Sequence, residues 1–360
     1  MRVGLVLGAG GVLGGAWLVG GLHALASETG WDPGSAEYLV GTSAGAMIAG
    51  LSASGVPAWF MVAHSAGETA EARDGDQSTP AEASRSAGAV FRLHPGVPVL
   101  GPGSWRLALA SLARPYRYSP AAVLAGWLPR GLVSPEPLKQ TIRRVADDEW
   151  TPHPNLWIMA CDYETGRRVA FGRGDAPPAS LAEAVAASCA IPGFYRPVEI
   201  AGHRYVDGGV ASTSNLDVLA GKGLDLVICL NPTSSLHAPQ PRTLGERAAG
   251  VLRQASGRRL GNEAKRVRAS GSEVILIQPT VQDLDAMGTN LMSSKRRHQV
   301  IETAAQTVTN QLREPSVRAR LRGLPPGKPI LVRRAPGALT QPPDFSHLAR
   351  ARWAAAAKAS

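Results

Sequence analysis

The apolar residues of this chain fall in short runs separated by glycine-rich turns and by stretches of helical spacing. Residues 2–7 form an apolar run that predicts a buried strand entering a glycine-rich loop at 8–15. From 16 to 27 the period changes, and Trp17, Leu18, Gly21, Leu22 and Leu25 fall on one helical face. Asp32-Pro33-Gly34 reads as a turn, 37–40 as a second strand, and 43–54 as a helix ended by Gly55-Val56-Pro57. Residues 65–88 carry no apolar periodicity and read as a mobile or disordered insert. Residues 89–150 hold Trp105, Trp127, several leucines and many prolines, which predicts short, broken helices. Two readings of that region stand: a cover over a site, or a helical layer without a gating role. Strands return at 156–161, 167–171, 224–230 and 273–278, with helices at 180–188 and 299–312. After about residue 325 the chain is rich in Pro, Arg and Ala and reads as peripheral. Strands alternating with helices predict an α/β layered fold with a mainly parallel sheet.

Composition changes this picture in three places. Residues 3–27 contain no Asp, Glu, Lys or Arg and could pass for a membrane span or signal peptide. Eight of them are glycine, clustered where a loop belongs, so both readings are rejected and a cytoplasmic protein is expected. Cys161, Cys189 and Cys229 lack metal-ligand spacing and read as structural thiols. Charge is uneven: residues 1–240 carry 17 Lys+Arg against 20 Asp+Glu, whereas 241–360 carry 21 against 8. A basic C-terminal part suits peripheral contact with an anionic membrane or is simply a solvated arginine-rich surface; nucleic acid is the weaker candidate.

Three segments carry candidate chemistry. In the first, Gly8, Gly10, Gly11 and Gly14 let the backbone approach a ligand and aim N–H groups at it. A dinucleotide loop is the rival reading, although Leu13 stands where the third glycine of G-x-G-x-x-G belongs; Glu28 or Asp32 would be a weak ribose ligand. The second is Gly41-Thr42-Ser43-Ala44-Gly45, a G-x-S-x-G pattern between an apolar run and a helix, which suits a serine on a sharp strand-to-helix turn. The third is Asp207-Gly208-Gly209, preceded by Ala187-Ser188-Cys189-Ala190-Ile191-Pro192. Asp before Gly is by itself an ordinary turn former.

Taken in order, the three segments resemble the patatin-like phospholipases over residues 3 to about 235. The resemblance implies a three-layer α/β/α sandwich and a serine acyl hydrolase acting on lipid or phospholipid esters, with no histidine, metal or other cofactor. It implies Ser43 as nucleophile, Asp207 as its base, and the N–H groups of Gly10, Gly11 and Val12 as an oxyanion hole. Gly8, Gly14, Gly41, Gly45, Gly208 and Gly209 would support these motifs. An apolar wall of Tyr205, Val206 and Val210 would raise the Asp207 pKa toward the range a base needs. The domain is expected over residues 1–310, with a variable insert at about 64–150 and a basic extension at 311–360.

Two departures stand out. Leu13 occupies a position where many relatives carry Arg or Lys. Ser212-Thr213-Ser214-Asn215 replaces their Asn-x-Pro, so the loop behind Asp207 is expected to be shaped differently. A histidine-dependent triad would draw on His237, His298 or His347, which follow Asp207 in the chain. A nucleotide-binding module and a non-catalytic lipid-binding scaffold complete the alternatives.

Overall fold

The fold is described from a computed structural model, over residues 1–62, 93, 101–114, 116, 118–146, 150–235 and 243–325. The irregular segment expected at 65–88, and the chain from 326 onward, lie outside the described residues.

In chain order the elements are β1 (Val3–Leu7), α1 (Gly11–Thr29), β2 (Tyr38–Thr42), α2 (Ala44–Ala53), α3 (Trp105–Ala113), α4 (Pro120–Trp127), α5 (Glu136–Ala146), β3 (Leu156–Asp162), β4 (Arg168–Phe171) and α6 (Leu181–Ser188). They continue with β5 (Val198–Ile200), β6 (His203–Asp207), β7 (Leu226–Leu230), α7 (Leu244–Ala269), β8 (Glu273–Ile277), α8 (Val281–Met287), α9 (Arg297–Arg313) and α10 (Pro315–Leu321).

One eight-stranded sheet runs β5-β6-β3-β2-β1-β7-β8, with β4 also paired to β3. Strands β3, β2, β1, β7 and β8 are mutually parallel, and β4, β5 and β6 pair antiparallel. Alternation along the strands sorts the core into two faces. Leu5, Leu7, Leu39, Ile158, Ile228 and Ile275 pack with Trp17, Leu22, Ala46, Val185, Ile301 and Ala304, from helices α1, α2, α6 and α9. Val6, Val40, Met159, Val227, Cys229 and Val274 face the other way, onto Leu260, Ala264 and Val267 of α7. The result is the expected α/β/α sandwich. The region expected to hold short helices supplies α3, α4 and α5. Leu107, Ala122 and Ala125 of α3 and α4 pack on Cys161, Tyr163, Val206 and Val210 near the end of β6.

One expectation shifts, and two features go beyond the sequence reading. Helix α1 begins at Gly11, inside the stretch read as loop up to residue 15. Glycines there are poor helix formers, yet they let the first turns sit close: a Cβ at Gly14 would stand 3.2 Å from Pro232, and one at Gly15 3.6 Å from Ala44. Helix α9 runs through residue 310, and Leu312 and Leu321 belong to the main core. The 26-residue helix α7 matches no sequence expectation. Its composition is charged and small-residue rich; its legible signal is the N-terminal box in which Thr243 Oγ1 accepts from Glu246 N while the Glu246 carboxylate accepts from Thr243 N.

Candidate active site

Strand β3 is the ruler that brings the second and third motifs together. Thr42, the last residue of β2, lies opposite Met159, and Asp207, the last residue of β6, lies opposite the next residue, Ala160. Strand β4 pairs with Ile158–Cys161, overlapping both partners, so it must occupy the other edge of β3. β2 and β6 therefore approach end to end along one edge. The residue following Thr42 necessarily arrives beside Asp207.

That residue is Ser43, at φ 55° and ψ −121° between β2 and α2. Positive φ strains a residue with a Cβ, by about 1–3 kcal/mol, so flanking structure must hold the turn. The flanks are too tight for side chains: a Cβ on Gly41 would sit 2.6 Å from Ala46 Cα, and one on Gly45 2.7 Å from the Gly8 carbonyl oxygen. Gly208 has the same role beside Asp207, where a Cβ would collide with the Met159 carbonyl.

The two side chains meet. Ser43 Oγ donates to Asp207 Oδ2 at 2.6 Å, and Gly209 N donates to Asp207 Oδ1 at 2.7 Å. Both residues are buried, at 5% and 6% exposure. Burial pushes the Asp207 carboxyl up to about 6, against the pull of the hydrogen bonds from Ser43 and Gly209. With this value the carboxylate is still mostly ionised at neutrality, yet it is a much stronger base than a solvated aspartate.

The glycine loop adjoins the pair. Gly8 N donates to Leu230 O, Ala9 N to Thr213 O, and Leu13 N to Leu291 O, which pins the loop on both sides. Gly10, Gly11 and Val12 lie between these anchors, and their N–H groups have no acceptor among the described residues. Gly11 adopts φ 62° at the first turn of α1. Unpaired N–H groups at a helix start attract negative charge. Leu13 is 1% exposed and belongs to the core.

Several positioning residues carried no role in the sequence reading. Ser188 Oγ accepts from Ser43 N at 2.8 Å and donates to Met159 O at 2.6 Å, tying the elbow to β3. The Cys189 thiol reaches the Ser43 carbonyl at 3.2 Å. Both lie in the run that precedes Asp207 in sequence, which was the available signal. The departing loop is anchored by its own polar groups. Asn215, at φ 53°, donates from Nδ2 to Thr42 Oγ1 at 3.0 Å and to Ser212 O at 2.7 Å. Buried Glu263 accepts from Ser214 Oγ at 2.5 Å and from Leu216 N at 3.0 Å. These hydrogen bonds fix the course of the loop.

Of the three histidines considered for a triad, His298 pairs with Glu302 at 3.2 Å on the next helical turn. His237 and His347 lie outside the described residues.

A mostly parallel sheet between helical layers thus brings a buried serine and a buried carboxylate to one point. Residues 5–220 match the model of the patatin-like phospholipases, and the chain belongs to that family of lipid acyl hydrolases.

Proposed function

We propose that this protein hydrolyses carboxylic ester bonds of lipids through a Ser43–Asp207 dyad. The observation that carries the reading is the 2.6 Å hydrogen bond from Oγ of Ser43, on its strained turn, to a buried carboxylate. Asp207 Oδ2 takes the hydroxyl proton as Ser43 Oγ attacks the acyl carbon. The carbonyl oxygen becomes an oxyanion, held by the N–H groups of Gly10, Gly11 and Val12; each such donor is worth about 3 kcal/mol in related sites. As the tetrahedral species collapses, Asp207 returns its proton to the leaving alcohol. Water then attacks the acyl-enzyme with Asp207 again as base, releasing the acid and restoring Ser43. The hydrolase domain on this reading comprises the sheet and its two helical layers, with α9 and α10 included.

The test is labelling with a fluorophosphonate probe alongside turnover of a short-chain nitrophenyl ester. Ser43→Ala is expected to lose both, and Asp207→Asn to lose at least about 10³-fold in kcat. Labelling that persists in Ser43→Ala refutes the assignment. Because Asp207 must be ionised to act, kcat/KM should rise through about pH 6 and level off above it. A profile flat from pH 4.5 to 8 would remove Asp207 as the base.

A further inference from the structure

The pair α3–α4 presents an apolar face to solvent rather than to the core. Trp105, Leu109 and Leu112 are 59%, 57% and 62% exposed, and their spacing of four and three residues puts them on one side of α3. The opposite side, Leu107, Ala108 and Ser111, is buried. Leu124 and Trp127 of α4 and the neighbouring Tyr116 extend the exposed apolar surface. Solvent-facing hydrophobic residues scattered singly are ordinary, but six on two mutually packed helices and their connection mark a binding surface.

Charge identifies the partner. Residues 101–135 contain four arginines, at 106, 114, 117 and 130, and no Asp or Glu. Arg106, Arg114 and Arg130 are exposed. Leucines flanked by Trp and Tyr, with exposed arginines, match the headgroup zone of an anionic bilayer: aromatic rings at the interface, guanidinium groups on phosphates. The carboxylate at the start of α3, Glu164, is neutralised by its pairing with Arg204. The surface also lies close to the candidate site. Ser119, the N-cap of α4, donates from Oγ to Val210 O at 2.8 Å, three residues after Asp207. Val206 and Val210 form part of the cluster beneath the helices.

We propose that the α3–α4 face is the surface by which this protein docks on anionic phospholipid bilayers, bringing the dyad to its substrate. The docking is distinct from the basic C-terminal part, and its purpose rests on the lipid-ester activity proposed above.

The experiment is co-sedimentation of the full-length chain with vesicles of phosphatidylcholine, alone or mixed with phosphatidylglycerol. The wild type should pellet with the mixed vesicles. Leu109→Ser combined with Leu112→Ser should weaken partitioning at least about tenfold, with an unchanged rate on a soluble nitrophenyl ester. Arg106→Gln with Arg114→Gln should erase the preference for the mixed vesicles. Full vesicle binding by the leucine variant overturns the proposal. So does a leucine variant that keeps vesicle binding but turns a dimer into a monomer, since the face would then belong to a second copy. Ser43→Ala should pellet like the wild type. If that variant still cleaves lipid, the dyad reading fails while the docking result stands.

Discussion

Glycine has opposite meanings in the two long helices that sandwich the sheet. In α1 it marks contact. A Cβ on Gly20 would collide with the Ile301 carbonyl and stand 3.0 Å from Ala304 Cβ, and one on Gly21 would stand 2.9 Å from Leu230. In α7 it marks open space: Gly250 and Gly261 have no atom of the described residues within 4 Å of an added Cβ. Helix α1 is thus seated as near to α9 and the sheet as its backbone permits. Since α1 starts at Gly11 beside the serine elbow, that depth also fixes where its first N–H groups point. Helix α7 covers its face of the sheet through Leu260, Ala264 and Val267, and holds the loop behind Asp207 through the buried Glu263 carboxylate and through Ser256, whose hydroxyl shares a hydrogen bond with that of Thr213. One face is set by steric limits, the other by a few anchors.

The sharpest way to break this contrast is to add single methyl groups on the close-packed face. Gly20→Ala and Gly45→Ala force backbone atoms apart, and each should cost about 3 kcal/mol or more in a urea midpoint measurement. Gly50→Ala, in the same helix as Gly45, is the control: the nearest atom to its Cβ is 3.5 Å away, and its stability should hold or rise. If Gly45→Ala and Gly50→Ala behave alike, steric closeness is not what holds the elbow.

The next effect in size concerns the charge at the meeting point of β2 and β6. Asp207 has a folded-state pKa of about 6 against 3.8 for the free group. The native state therefore keeps a proton that the unfolded chain gives up, and its stabilising effect is full below 3.8 and lost as pH rises through about 6. The offset corresponds to about 3 kcal/mol as an upper figure. Asp207→Asn should accordingly be more stable than wild type at pH 8, and the two should converge at pH 4. A variant less stable than wild type at pH 8 would mean that the buried carboxylate is a net support of the fold.

Ser188→Ala comes third. It leaves the Ser43 N–H without its acceptor and the Met159 carbonyl without its donor. The expected cost is about 1–3 kcal/mol, with kcat reduced more than KM is raised, because the elbow and not a binding surface has moved. A purely structural role would lower stability and leave kcat of the folded fraction unchanged.

These residues also mark how far the sequence could be read. The strand and helix order of the sheet core was legible because continuous apolar runs mark β1, β2, β3 and β7, and helical spacing follows β1 and β2. The Ser43 turn was legible because a strained turn restricts residue choice, and glycine at 41 and 45 leaves a visible spacing; Asp207 as its partner came only from the family resemblance that the three ordered motifs carry. Ser188, Asn215 and Glu263 were not, since a buried polar group looks like any other Ser, Asn or Glu until its partners, which lie far away in sequence, are in place. Helix α7 was missed for the reason that its glycines are free. Nothing presses on them, so its apolar stripe is narrow and its helical period is diluted by Arg, Gly and Ala.

That last point supplies the smallest and most selective test. A glycine inside a helix costs about 1 kcal/mol relative to alanine when no contact requires it. Gly250→Ala and Gly261→Ala should each raise stability by about that amount. They lie more than 7 residues apart on a helix, share no partner, and should therefore add. Ester turnover should be unaffected, because neither touches Glu263 or the loop it holds. The same substitution at Gly20 goes the other way, so the sign alone, read from one denaturation series, separates a helix held by steric limits from one held by anchors. A loss of stability at Gly250 or Gly261 would reveal a surface seated on α7 and reduce the contrast between the two helices to one of degree.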